Sequence, residues 1–181
     1  MKRNQTKNLV IAALCLALGI LLPQVFHAFG AGSTFLPMHI PVLLCGFLCG
    51  WQYGALCGLV VPLLSSLFTG MPPIFPTAPA MMLELCAYGL LTGLFYRRVK
   101  WNIYFSLISA MLAGRIVSGI ANAAFMGIAG KAYGFSAFLT ASFVTAVPGI
   151  IIQLVAVPLI VICLEKARLM ESPKQNAYRV A

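Results

Sequence analysis

Residues 40–69 read IPVLLCGFLCGWQYGALCGLVVPLLSSLFT, and whether this stretch forms one helix or two decides the fold. A single helix over the whole stretch would rise ~45 Å, far more than the ~30 Å hydrocarbon core of a bilayer. A break at Gly50–Gly54 instead places Trp51 and Tyr53 at a membrane interface, where amphipathic aromatic side chains are common. The stretch is therefore predicted to form two helices. The first is too short to cross alone, so the segment before it is expected to enter the membrane as well.

The composition of the whole chain agrees with a membrane location. Of its 181 residues, 61% are hydrophobic and 8% are charged, and the mean hydropathy of +0.98 excludes a water-soluble domain. This length holds about six spans of ~20 residues and leaves no room for a separate catalytic or ATP-binding domain. We predict an all-α integral membrane protein, a compact bundle of six transmembrane helices that forms a single domain over residues 1–181. The predicted helices are at about 8–26, 40–50, 54–69, 79–96, 102–127 and 138–164, followed by a tail at 165–181.

The net charge of +9 does not indicate a nucleic-acid partner, because the basic residues lie in short clusters between the apolar runs. These clusters contain Lys2, Arg3, Lys7, Arg97, Arg98, Lys100, Lys166, Arg168, Lys174 and Arg179. The connections on the other side carry only Lys131. By the positive-inside rule, the N- and C-termini of this multi-pass protein are predicted to be cytoplasmic. Five spans would instead place the two termini on opposite sides.

The basic start and the first apolar run also resemble the beginning of a secretory signal. The run continues to Pro23 and Phe26 without a clean cleavage site of small residues. An uncleaved first helix is therefore predicted.

Small residues recur at every fourth position, a spacing that lets membrane helices approach closely. They are Gly46, Gly50, Gly54, Gly58, Gly89, Gly93, Ala110, Gly114 and Ser118. Packing inside the bundle accounts for most of them. Ala13 and Ala17 of the first helix, together with Ala12 and Gly19, offer a smooth surface that fits either a neighbouring helix or another subunit.

Glu84 and Arg115 are the charged residues that lie inside the apolar runs. An ionisable group in mid-membrane costs at least ~2.5 kcal/mol unless it is paired, hydrated or bound to a ligand. Tyr88 follows Glu84 at i+4, and Ser118 and Asn122 follow Arg115 at i+3 and i+7, so each helix presents one polar stripe in the outer half of the membrane. Two interpretations stay open. These residues line an outward-facing pocket for a substrate, or a buried ion pair only fixes the register of the two helices.

Two predicted outer loops, at 23–41 and 69–76, are nearly uncharged and rich in Gly, Pro and aromatic residues. They are expected either to fold over the bundle as a lid on a partly apolar cavity or to lie in the headgroup region. As part of a lid, Phe35 and His39 are predicted to contact the substrate. The aromatic residues available to enclose an apolar or ring portion are Phe29, Phe35, Phe75 and Phe135.

Together with the motifs PMHIP (37–41) and GMPP (70–73), these features resemble the substrate-binding S component of an energy-coupling factor (ECF) vitamin transporter. The resemblance covers nearly the whole chain and is strongest between Leu36 and Pro73. It implies a high-affinity subunit of the bacterial cell membrane that binds a small vitamin-like metabolite for uptake. It also implies that Ala13 and Ala17 face a transmembrane coupling protein and that two ABC-type ATPases supply the energy. In agreement, the sequence has no Walker loop of its own, and no cofactor is predicted.

Other classes of protein fit the sequence less well. A self-sufficient secondary transporter predicts inverted repeats, and no convincing internal repeat is found. An enzyme is not predicted, because there are no paired carboxylates and no His-Glu-x-x-His or Gly-x-Ser-x-Gly motif. Cys45 and Cys49 share a helix face close in sequence to His39, which leaves soft-metal transport as an alternative, although the spacing is not that of a metal site.

The residue types also bear on the substrate. Arg115, a fixed cation in a medium of low dielectric constant, favours a ligand with a carboxylate or another anionic oxygen. Glu84, Tyr88 and Asn122 fit hydroxyl or amide groups. Pantothenate and several heteroaromatic vitamins or their precursors meet this description.

Overall fold

Each long apolar run forms a helix in the computed structural model, which describes residues 2–28, 36–130, 134, 138–140 and 144–167. The helices are α1 (Lys2–Ala28), α2 (His39–Cys49), α3 (Trp51–Thr69), α4 (Thr77–Gly93), α5 (Ile103–Ile128) and α6 (Val147–Lys166). A π-helical turn, Leu94–Arg98, continues α4. Within the described ranges, 5 helices are long and apolar enough to cross a membrane, and α2 is shorter, with 11 residues. The prediction of an all-helical membrane protein is confirmed.

A single glycine separates α2 from α3. Gly50 has a φ of 97°, a backbone conformation that glycine adopts without the steric cost of a Cβ. The break is therefore shorter than the predicted turn at 50–54, because Trp51 already begins α3. Tyr53, expected in the turn, also belongs to the first turn of that helix.

Several other helix ends differ from the predicted ones. α6 starts at Val147, whereas the apolar pattern places its start at 138. A turn at 145–146 precedes it, and Pro148, which lacks an N–H and suits the first turn of a helix, lies just inside. Hydropathy does not detect this break because the residues on both sides of it are apolar. At the other terminus, α1 extends beyond both predicted limits, from Lys2 to Ala28.

Glycines set the spacing between α4 and the α2–α3 pair. Gly54 and Gly89 face each other across α3 and α4, and a Cβ on either residue would collide with the carbonyl oxygen of the other. Gly58 lies in the same way against the backbone of Leu85, and Gly93 against that of Trp51. Because lipid gives helices no hydrophobic reason to associate, such close backbone contact supplies the van der Waals attraction that holds them together.

The centre of the bundle is α2. It packs against α1, α3, α4 and α6, and nine of its residues are buried. Val42, Leu43 and Phe47 are fully enclosed. Because other helices surround it, α2 does not need the length of a lipid-exposed span. Large apolar side chains on the outer helices, such as Ile116 and Val155, are instead exposed, as expected for a surface that faces lipid.

Contacts between helix ends establish the directions of the helices: α2 runs opposite to α1, whereas α2, α4 and α6 run in the same direction. The Cys49 thiol at the end of α2 donates to the Asn8 carbonyl near the start of α1, at 3.3 Å. Tyr96 donates its hydroxyl to the Glu165 carboxylate near the end of α6, and Arg97 Nε donates to the Phe47 carbonyl at 3.0 Å. We call this the inner end of the bundle, and the opposite end, where α2, α4 and α6 begin, the outer end.

Four buried cysteines meet between the inner halves of α1, α2 and α3. The thiol of Cys45 is in side-chain contact with those of Cys15, Cys49 and Cys57, and all four are free. In the part of the chain that the structure describes, no group of three or more His, Cys, Asp or Glu side chains is arranged to hold a metal ion.

Candidate functional site

Glu84 is the centre of a buried polar cluster in the outer half of the bundle. Its Oε1 accepts hydrogen bonds from Arg115 Nη1 at 3.0 Å and from the Tyr88 hydroxyl at 3.2 Å. Its Oε2 accepts the Ser118 hydroxyl at 2.7 Å. The residue is only 6% exposed, so a lone carboxylate would be strongly disfavoured there. Three donors from α4 and α5 instead hold the carboxylate in one orientation.

Arg115 is held by this carboxylate through one of its three guanidinium nitrogens. Its Nε and Nη2 are buried and have no hydrogen-bond partner among the described residues. These two nitrogens form one edge of the planar guanidinium, with parallel N–H groups that match the two oxygens of a carboxylate. Arg115 is itself only 7% exposed, so water does not freely supply the missing acceptors. The pair with Glu84 therefore neutralises the charge of Arg115 but leaves its carboxylate-binding edge unused.

His39 contributes a second set of unused donors or acceptors. It is the first residue of α2 and 1% exposed, and its ring lies 5.3 Å from that of Tyr88, between ring centres. Its Nε2 is 3.6 Å from Glu84 Oε1, longer than a hydrogen bond. Neither ring nitrogen has a hydrogen-bond partner within the described ranges. An imidazole carries at least one N–H, so His39 adds hydrogen-bonding capacity beside the Arg115 edge.

Local sequence explains how these side chains meet. α2 begins inside the bundle rather than at its surface, which brings His39 to the level of Glu84. Gly114 on α5 gives room for the Tyr88 ring, since a Cβ at this position would collide with that ring. Tyr88 lies one turn after Glu84 on the same face of α4, so its hydroxyl reaches the carboxylate. A small residue on one helix thus positions an aromatic residue on the next.

The predicted polar stripe on α5 contacts the Glu84 carboxylate and does not line an open pocket among the described residues. Ser118 donates its hydroxyl to Glu84, and Asn122 Nδ2 donates to the Ser118 carbonyl at 2.9 Å and its hydroxyl at 3.3 Å. Ser118 is buried and Asn122 is half-buried. Six predicted site residues therefore converge on one cluster: His39, Glu84, Tyr88, Arg115, Ser118 and Asn122. Several of these residues form hydrogen bonds with one another, so they are not all free to bind a ligand.

The loop between α3 and α4 is fixed to the outer end of α3. Ser65 donates its hydroxyl to the Met71 carbonyl at 2.8 Å, and Ser66 donates to the Pro72 carbonyl at 2.7 Å. Phe75 in this loop makes an edge-on contact with Phe125 of α5, with 6.3 Å between ring centres. The loop therefore reaches from α3 to α5 across the outer end. Phe35, also predicted to contact substrate, lies outside the described residues, as do Phe29 and Phe135.

On α1, Ala13 and Ala17 are exposed on the surface of the bundle. Two other residues of the predicted smooth surface do not belong to it. Ala12 is partly buried against the core, and Gly19 is buried against Val61 of α3. The exposed part of the surface is therefore narrower than predicted.

One polar residue of the outer half, on α6, was not predicted from the sequence. Gln153 on α6 is fully buried, and its amide nitrogen and oxygen have no partner in the described part of the chain. It is a lone amide in the apolar run VPGIIIQLVAVPLIVICL (147–164). A search for uncharged polar residues within apolar runs would have found it, whereas a search for charges does not.

A family model described as "ECF transporter, substrate-specific component" matches residues 7–161 of the chain. The matched range includes every residue of the buried polar cluster. No curated protein and no solved structure was found to match the chain.

Proposed function

Because the chain belongs to the family of substrate-specific components of ECF transporters, we propose that it binds a small vitamin-like metabolite through a carboxylate that docks on Arg115. Members of this family are transport subunits rather than enzymes.

The observation that carries the proposal is the free edge of Arg115. A buried donor without a partner costs ~1–3 kcal/mol, and more when the group is charged, so proteins rarely keep one without a use. The two nitrogens of this edge, Nε and Nη2, are both unpaired within the described residues. A ligand carboxylate would accept from both at once, in the bidentate geometry that makes such pairs strong.

The ion pair with Glu84 explains how Arg115 stays buried when no ligand is bound. Glu84 neutralises the guanidinium and fixes its orientation, and it is fixed in turn by Tyr88 and Ser118. We therefore assign Glu84, Tyr88 and Ser118 to holding the guanidinium in place, with Asn122 supporting Ser118. Arg115 and His39 are the residues with unused capacity for the substrate. Because the guanidinium is already held in one orientation, its side chain loses little conformational freedom when the ligand binds.

The remaining parts of the chain have roles in this proposal that follow from their positions. The loop that carries Phe75, fixed to Ser65 and Ser66, lies over the outer end and covers the ligand. The exposed Ala13 and Ala17 contact a transmembrane coupling protein, whose two ABC-type ATPases supply the energy. The whole chain acts as one transmembrane domain in the bacterial cell membrane, with both termini in the cytoplasm.

The proposal is tested by identifying the small molecule that the purified protein retains. Wild-type protein is expected to retain one carboxylate-bearing metabolite in stoichiometric amount, measured by mass spectrometry. Arg115→Lys keeps the charge but loses the planar edge, so it should retain at least tenfold less. Ile116→Ala is the matched control, because its side chain is 62% exposed on the outside of the same helix and should not matter. Equal retention by Arg115→Lys and wild type, or a bound ligand without an anionic oxygen, would contradict the proposal.

A further inference from the structure

Gln153 is an uncharged polar side chain that is buried without a hydrogen-bond partner among the described residues. It is 0% exposed, and neither its amide nitrogen nor its amide oxygen is hydrogen-bonded among the described residues. An amide has two donor hydrogens and an acceptor oxygen, so both of its functions are unmet. Buried polar groups in proteins are nearly always hydrogen-bonded. The neighbours of Gln153 in sequence are apolar, so their side chains cannot supply a hydrogen-bond partner.

A purely local explanation is available for another such residue but not for Gln153. Ser106, whose buried hydroxyl also has no partner within the described ranges, lies on α5 one turn after Asn102, where a serine hydroxyl can reach the backbone carbonyl of the preceding turn. The Gln153 amide has both donors and an acceptor, and it makes no hydrogen bond to the described residues of its own helix. Its hydrogen-bond partner must therefore come from outside α6.

The contacts at the inner end place Gln153 at the same depth as Glu84. Tyr96, which continues α4, donates its hydroxyl to Glu165 of α6, so these two residues share one level. Glu84 lies twelve residues before Tyr96, and Gln153 lies twelve residues before Glu165. Both helices run from the outer to the inner end, and twelve residues rise ~18 Å. Gln153 and Glu84 are thus at matching heights in the outer half of the bundle.

The direction of the side chain agrees with this placement. Gln153 shares a face of α6 with Val157 and Val161, which are fully buried in the core. α6 packs against α2 and α5, the helices that carry His39 and Arg115. The buried face of α6 therefore points toward the helices that bear the other unpaired groups.

We propose that Gln153 binds a second group on the same substrate, an amide or an equivalent ring edge that offers one N–H and one C=O side by side. This inference rests on the proposed function of Arg115 and extends it. The carboxylate docks on Arg115, and the amide or ring edge pairs with Gln153 through two hydrogen bonds. The substrate class is then an anionic metabolite with an N–H/C=O pair, rather than any carboxylate of suitable size.

The first test does not need a ligand. Gln153→Met keeps the length of the side chain and removes both unmet polar groups, so the ligand-free variant should have a higher Tm than ligand-free wild type. Leu154→Met, on the same helix, is the control for the introduction of methionine. A lower Tm for Gln153→Met than for both other proteins would show that the amide is satisfied within the fold, and would overturn the inference.

The second test uses an equimolar mixture of water-soluble vitamins and their precursors as the probe, with the retained compound identified by mass spectrometry. Wild type should retain a compound with both a carboxylate and an N–H/C=O pair, and Gln153→Met should retain at least tenfold less of it. Retention of that compound by Gln153→Met at the wild-type level overturns the role of Gln153. If Gln153→Met loses the compound and Arg115→Met keeps it, the role of Gln153 stands and the proposed role of Arg115 fails.

Discussion

Glu84→Gln should lower the thermal stability of the ligand-free protein and make that stability depend more strongly on bound ligand. The substitution keeps the shape of the side chain but removes the negative charge that Arg115 Nη1 contacts at 3.0 Å. Removing one partner of a buried ion pair costs ~3–5 kcal/mol, because the other charge is left without compensation. For a chain of this size each kcal/mol corresponds to ~2–4 °C, so ligand-free Glu84→Gln should unfold at least ~6 °C below wild type.

A carboxylate ligand reverses this loss in the proposed arrangement. On the free edge of Arg115, it would lie about 7 Å from the Glu84 carboxylate, and their repulsion is ~2 kcal/mol at an effective dielectric constant of 20. Glu84→Gln removes this repulsion and leaves the ligand as the counterion of Arg115. The increase in Tm on adding the ligand should therefore be larger for Glu84→Gln than for wild type.

The assay is thermal unfolding of the purified protein in detergent, followed by tryptophan fluorescence with and without the retained metabolite. Glu165→Gln is the matched control, since it makes the same chemical change at the inner end, where Glu165 accepts from Tyr96. Ligand should stabilise this control no more than it stabilises wild type. A Glu84→Gln protein that ligand stabilises less than wild type would refute the reasoning and favour an ion pair that only fixes helix register.

Three further predictions concern the bundle, the loop and the surface of α1. Gly54→Leu should abolish folded protein in size-exclusion chromatography, because the new side chain enters the backbone of α4, whereas Gly127→Leu, whose Cβ would meet nothing within 4 Å, should be tolerated. Ser66→Ala removes the 2.7 Å hydrogen bond to the loop between α3 and α4. It should increase the rate at which bound ligand is released, measured in a stopped-flow chase, with little change in Tm. An unchanged release rate would argue that the loop is not a lid. Ala13→Trp should abolish uptake by cells and co-purification of the coupling protein while the isolated subunit still binds ligand. Ile116→Trp, on the exposed surface of α5, should leave uptake and co-purification unchanged. Loss of binding by isolated Ala13→Trp would indicate internal packing instead.

Much of the fold follows from the sequence because the bilayer restricts the possible solutions. Apolar runs must form helices, and glycines at four-residue spacing indicate which faces pack closely, as Gly54 and Gly89 do. The ends of helices are less predictable. The break before Val147 lies between two apolar segments, so the hydropathy pattern does not show it. The depth of α2 in the bundle depends on the helices that surround it, which hydropathy does not show either.

Six residues of the buried polar cluster were predictable from the sequence, but the hydrogen bonds between them were not. Glu84 and Arg115 are detectable because a charge in an apolar run is expensive, and helical spacing brings in Tyr88 and Ser118. Which donors satisfy the carboxylate depends on distances of a few tenths of an ångström between two helices, which a sequence does not contain. Gln153 was missed because an uncharged amide costs less to bury than a charge.

The central claim, that the free edge of Arg115 binds the carboxylate of the substrate, is tested most directly by a double-mutant cycle between protein and ligand. Affinities of wild type and Arg115→Met are measured for the retained metabolite and for its methyl ester, which lacks the anionic oxygen. If the two groups contact each other, each change alone should weaken binding by ~3 kcal/mol or more, roughly two orders of magnitude, and the second change should add little to the first. Losses that simply add would show that the carboxylate and Arg115 do not interact, and would contradict the account.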